Sequence, residues 1–151
     1  MKFSNWIKWA DRHKLKDLQY PGVYAISYNE HNISNNSIDW IREIIYIGMT
    51  NSKGGLKRRL RQFDYTICGK GNNHSGAKRI RDKYKDYDKL IKHLYVAVYL
   101  FKCDVTSNKE KDLLIMGKVA ECEYICFAEY VKRFDMLPEF NDKKRSPQKI
   151  K

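Results

Sequence analysis

Two short runs, PGVYAISY (Pro21–Tyr28) and IIYIGMT (Ile44–Thr50), decide how this chain folds. Both are rich in β-branched and aromatic residues, which is the pattern of a strand. Residues 29–39 between them are polar and rich in Asn and Ser, a loop that lets the two strands pair antiparallel. Such pairing places Tyr24 and Tyr46 on one small sheet.

Immediately after the second run, Ser52-Lys53-Gly54-Gly55 forms a turn into GLKRRLRQF (residues 55–63), a basic helix carrying Arg58, Arg59 and Arg61. Upstream, the apolar spacing of Phe3, Trp6, Ile7, Ala10 and Leu15 predicts an amphipathic helix over residues 3–18, closed by Pro21. Downstream, residues 72–75 read as a turn, with Ser75 a candidate N-cap for the helix AKRIRDKY. LYVAVYLFKC (residues 94–103) is nearly continuous in apolar residues, as suits a central strand covered on both faces. Thr106, Ser107 or Asn108 is placed to cap a long helix reaching about Phe134. The sum is one α+β domain over residues 1–151, with a core at about 21–141 and a basic tail at 142–151. Its sheet is small, three-stranded and mostly antiparallel, flanked by helices.

Lys and Arg number 30 against 18 Asp and Glu, a formal charge of +12. That excess favours a polyanionic partner. No long apolar run or lipidation signal points to a membrane, and the polar N-terminus implies a cytoplasmic protein. The four cysteines (Cys68, Cys103, Cys122, Cys126) form no C-x-x-C pair and read as reduced, packed thiols.

In the long helix, about 100° per residue gathers Lys118, Glu121, Glu129, Lys132 and Arg133 on one side. Val119, Phe127, Tyr130 and Phe134 gather on the other, and Glu123 falls among them. A carboxylate in that company needs compensation. A metal ion, Arg59 or a tyrosine hydroxyl would each supply it, as would a structural ion pair or an escape to solvent.

The order Gly22-Val23-Tyr24, Tyr46-Ile47-Gly48, arginine helix resembles the GIY-YIG nuclease family over roughly Pro21 to Asn141. The resemblance implies a DNA endonuclease that hydrolyses phosphodiester bonds with one divalent metal, Mg²⁺ or Mn²⁺, and tyrosine assistance. Tyr24 and Tyr46 then point into the site, with Tyr46 assigned as general base on the attacking water. Arg59 grips the scissile phosphate. Arg58 and Arg61, with Lys78 and Arg79 of the next helix, touch the flanking DNA backbone. Glu123 becomes the metal ligand. A rival, Glu129, is selected by its distance from Pro138-Glu139-Phe140-Asn141, but it projects from the polar face. His74, in NNHSGAKRIR, takes the part of a catalytic histidine, since Phe63 stands four residues after Arg59 where relatives carry histidine or tyrosine.

The implied partner is double-stranded DNA, in a restriction-type or mobile-element setting, and cutting both strands calls for a homodimer. The loop at residues 29–39 and the segment 64–75 are where specificity is expected. The alternatives are a nucleic-acid-binding module of the same fold that has lost its chemistry, and a basic RNA-associated protein. The first would lack the arginine or the glutamate, and both are present. The second leaves the set Tyr24, Tyr46, Arg59 and Glu123 unexplained.

Overall fold

The structure, a computed structural model, describes residues 2–141; the basic tail read at 142–151 lies outside the described residues. Strand β2 (Gly22–Tyr28) lies inside the sheet and pairs antiparallel on one side with β3 (Ile44–Thr50) and on the other with β4 (Leu94–Leu100). A two-residue strand, β1 (Ile7–Lys8), adds to the outer side of β4, so the sheet has four strands in the order β1-β4-β2-β3. The strands read over both tyrosine motifs and over residues 94–103 are present, and the fold is α+β.

The expectation of three strands and of a helix over residues 3–18 fails for one reason. The outer edge of β4 has backbone groups that must be paired, and the N-terminal segment pairs them. Ser4 N–H donates to the Val98 carbonyl, Ser4 Oγ accepts from Val98 N–H, and Ile7 lies opposite Val96. Only Trp9–Lys14 turns helically, as a 3₁₀ helix. The apolar residues of this segment divide between the two sides of the sheet, Trp6 packing with one core and Trp9 with the other.

Those two cores set the layers. Tyr24, Ile26 and Tyr46 face helices α1 (Gly55–Ile67) and α2 (Ser75–Lys83) and the short α3 (Tyr87–Ile91), which the sequence reading did not include. Val23, Ala25 and Ile47 face the long helix α4 (Glu110–Phe134) through Val119, Cys122, Cys126, Phe127 and Tyr130. The alternation along β2 therefore sends the tyrosine to one helical layer and its neighbours to the other. Asp64 of α1 joins the first layer together. It accepts from Trp9 Nε1 and from the Tyr87 hydroxyl, both at 2.8 Å, and pairs with Arg12 at 3.3 Å.

Two helix starts fall one or more residues from the expected caps. His74, not Ser75, caps α2, because its ring reaches Ala77 N–H. Helix α4 begins at Glu110 after Lys109. Thr106 and Ser107 are engaged in the preceding turns, Thr106 with Asp104 and Ser107 with Lys109 N–H.

The open edge of β3 is closed by the segment after α4. Phe140 N–H donates to the Ile45 carbonyl. The Asn141 amide pairs with both backbone groups of Ile47, accepting at 2.9 Å and donating at 2.8 Å, as a strand residue would. Asn141 thus holds the strand that carries Tyr46.

Candidate active site

Antiparallel pairing sets Tyr24 directly opposite Gly48. A Cβ on Gly48 would stand 2.6 Å from the Tyr24 ring and hydroxyl, so the phenol can lie across β3 only because residue 48 lacks one. Gly76, near the start of α2, does the same for Tyr46: a Cβ there would run into the ring. The glycine of Tyr-Ile-Gly was legible in the sequence as part of a motif. Gly76 was missed: it falls in the first turn of α2, where a glycine gives no distinct signal.

With the rings so placed, Tyr24, Tyr46, Phe63 and His74 form one buried cluster. The Tyr24 hydroxyl lies 2.7 Å from His74 Nε2, and His74 Nδ1 accepts from Ala77 N–H at 3.1 Å. Because Nδ1 is an acceptor, the proton of the neutral ring sits on Nε2, and His74 donates to Tyr24. Burial lowers the His74 pKa to about 3, with the charges of Arg59 and Arg79 adding to the effect. The ring is therefore a neutral donor throughout the physiological range. Phe63 packs edge-on against it, 4.9 Å between centroids, where a second polar group would have competed for Tyr24.

Arg59 comes to the same hydroxyl from α1. Burial pushes the Tyr24 phenol well above its ordinary range, and Tyr46 adds to this, while the Arg59 guanidinium beside it pulls the other way. Burial also works to lower the Arg59 pKa, but Tyr24, Tyr46 and Glu123 outweigh it and keep the guanidinium charged. Glu123, on α4, is 4% exposed despite its charge, and that charge is felt at both Tyr24 and Arg59. The structure thus brings together Tyr24, Tyr46, Arg59 and His74, with Glu123 approaching from the other helical layer. Glu129 is elsewhere engaged, paired with Arg133 at 2.7 Å on the outer side of α4.

Of these residues, only Arg59 lines a cleft open to solvent. A cleft of about 280 Å³ is lined by Thr50, Ser52, Gly55, Arg58, Arg59, Gln62 and Asn73. At its floor Arg59 Nε is shielded from solvent and has no acceptor among the described residues. Arg59 also lines the cleft, and a guanidinium fork is the side-chain type that matches a planar oxyanion. The surroundings match: residues 51–81 hold nine Lys and Arg against the single acid Asp64, and Asp64 is already engaged within the fold. Arg58, which lines the cleft, is exposed, as are Arg61 and Lys78 elsewhere on α1 and α2. Arg79 differs, because its Nε and Nη2 both donate to the Phe140 carbonyl, at 3.2 and 2.6 Å. It clamps α2 to the segment that closes β3.

Among the described residues no group of three or more His, Cys, Asp and Glu gathers as a metal cage. A cation of the Mg²⁺ type keeps several waters and takes one or two carboxylates plus substrate phosphate; Glu123 is the carboxylate whose charge is felt at Tyr24 and Arg59. No helix among the described residues is long and apolar enough to cross a membrane. No family model, curated protein or solved structure matches this chain.

Proposed function

We propose that the protein is a metal-dependent DNA endonuclease of the GIY-YIG type. The observation that carries the reading is the convergence of the Tyr24 hydroxyl, His74 Nε2, the Arg59 guanidinium and the Glu123 charge beneath a basic cleft. Arg59 and Arg58 would hold the phosphate at the cleft. Glu123 would hold Mg²⁺ or Mn²⁺, which supplies charge neutralisation at the phosphate and activation of water when bound. Two donors, His74 and Arg59, face the Tyr24 oxygen and stabilise its anion. We therefore assign the general base to Tyr24 rather than to Tyr46. Burial opposes that anion, so proton abstraction requires the positive charge that a cation at Glu123 brings.

A second reading, a nucleic-acid-binding module of the same fold without chemistry, is favoured by one feature. Tyr24 and His74 are fully buried, Tyr46 nearly so, and the cleft lining includes none of them. Cleavage of supercoiled plasmid with Mg²⁺ or Mn²⁺ separates the two. Metal-dependent cutting by the wild type, lost in Glu123→Gln while DNA binding is retained, is the result expected of the nuclease. Tight binding without cutting, under all cations and on varied substrates, supports the inactive module. Within an active enzyme, Tyr24→Phe should cost more turnover than Tyr46→Phe.

A further inference from the structure

Among the described residues, the exposed large apolar side chains lie on α4 and just beyond it, with one exception: Tyr65 of α1, which is 51% exposed. A single exposed ring is ordinary on a protein surface. This one is set apart by its company. The exposed residues of α1 are Lys57, Arg58, Arg61 and Tyr65, and at about 100° per residue they share one stripe about 100° wide. Three cations and one tyrosine fill it. Asp64, the acid of this helix, is turned into the fold by Trp9, Tyr87 and Arg12.

The tyrosine is also held firmly at its base. Its carbonyl accepts from Lys70 N–H at 2.8 Å, which folds the loop after α1 back along it. Arg81 of α2 fixes that loop by donating to the Thr66 and Gly71 carbonyls and to Asn72 Oδ1. Gly71 passes beside the Tyr65 Cβ, and residues 69–73, Gly-Lys-Gly-Asn-Asn, contain no apolar side chain to cover the ring. The loop leads to Asn73, which lines the Arg59 cleft together with Gln62. Tyr65 follows Gln62 by one turn and stands about 9 Å beyond Arg59 along the helix axis.

A partner that answers to Lys57, Arg58 and Arg61 is polyanionic, and one that also answers to an aromatic face carries planar bases. Inside a continuous duplex each base face is covered by its neighbours, so a ring on the protein surface finds a face only where a base has left the stack. We propose that Tyr65 is a specificity-determining residue that stacks on an unpaired nucleobase beside the phosphate held at Arg59. The chain then prefers DNA containing an unpaired nucleotide to continuous duplex. This rests on the reading of the Arg59 cleft as a DNA phosphate site and names the kind of DNA selected. Stacking involves no charge, so it adds affinity without adding salt dependence.

Fluorescence anisotropy of the full chain in EDTA, on a short labelled duplex and on the same duplex carrying one unpaired adenine, tests this without any cutting. The wild type is expected to bind the DNA with the unpaired base at least fivefold more tightly. Tyr65→Ala should lower that affinity by about five- to a hundredfold, while the affinity for continuous duplex, the salt slope and the circular dichroism spectrum stay nearly as they were. Tyr65→Phe should keep the preference, because the ring and not the hydroxyl makes the contact. Equal affinity for the two DNAs overturns the proposal, as does a preference that survives Tyr65→Ala, a loss as large in Tyr65→Phe, or no binding to either DNA. Failure of the nuclease reading is seen separately. A chain that shows the preference but cuts nothing with Mg²⁺ or Mn²⁺ sinks the catalysis alone, and one that cuts but binds both DNAs equally sinks the role of Tyr65 alone.

Discussion

His74 Nε2 donates to the Tyr24 hydroxyl across 2.7 Å while Nδ1 of the same ring caps helix α2. One side chain thus starts a helix and positions a phenol, and the two duties can be separated. Asparagine is a strong N-cap and would keep the bond to Ala77 N–H, but it is too short to reach Tyr24. His74→Asn is expected to preserve most of the α2 cap and to lose the Tyr24 contact. His74→Ala loses both, for about 2–4 kcal/mol once the cavity is counted. Urea denaturation of the two variants, read beside the Tyr24 environment by NMR, checks the division.

The same residue makes stability fall in acid. Its folded pKa is depressed to about 3, from an ordinary value of 6.5, so the unfolded chain takes up the proton first. The contribution is complete above pH 6.5 and is lost progressively as pH falls toward 3. His74→Asn should remove that part of the slope. If wild type and variant show parallel stability–pH curves between pH 6.5 and 4, the buried neutral ring is not the cause.

Gly48 and Gly76 give a sharper test of the tyrosine packing. Alanine is a better helix former than glycine, by up to about 1 kcal/mol in a helix interior and less in a first turn, yet Gly76→Ala drives a methyl into the Tyr46 ring. A net loss of about 1–3 kcal/mol is expected, and Gly48→Ala should behave likewise through Tyr24. Stabilisation by Gly76→Ala in a denaturant titration would mean that Tyr46 lies elsewhere.

Asn141 predicts a local effect. Replacing it by alanine leaves Ile47 N–H and its carbonyl without their partners, at about 1–2 kcal/mol each where water cannot reach. Hydrogen exchange should report Ile47 opening faster in Asn141→Ala, with β4 amides slowed or hastened far less.

Much of the sheet was legible because β-branched and aromatic runs announce strands whatever their partners. Tyr24, Tyr46 and Arg59 were found as members of an ordered set, and Glu123 as a charge on an apolar helical face. The N-terminal segment misled for a physical reason. The spacing of Phe3, Trp6, Ile7 and Ala10 suits a helix, but the unpaired edge of β4 supplies the stronger demand, and no local pattern records it. His74 was placed in the site without its cap, because the distance from Nδ1 to Ala77 depends on how α2 begins. Arg79 read as a phosphate contact, since nothing in the sequence says that the Phe140 carbonyl lies in front of it.

Arg79 therefore supplies a further contrast among the basic residues of the cleft face. On the proposed nuclease reading, Arg61→Ala should weaken DNA binding and reduce the dependence on salt by about one counterion, with little change in stability. Arg79→Ala should do the reverse, destabilising by about 1–3 kcal/mol while leaving the salt slope nearly intact. Binding isotherms at three salt concentrations, with melting curves alongside, distinguish the two roles.

The way β3 ends has a consequence for how this protein resists misassembly. Its outer edge is occupied by the Asn141 amide and Phe140 N–H, and the opposite edge is a strand only two residues long, preceded by Trp6, whose backbone bonds to residues 35 and 36. Neither margin offers a run of free backbone for a stray strand to join. Edge-to-edge pairing of the folded chain is thereby disfavoured, even though the sheet is built from the apolar, β-rich segments most prone to it.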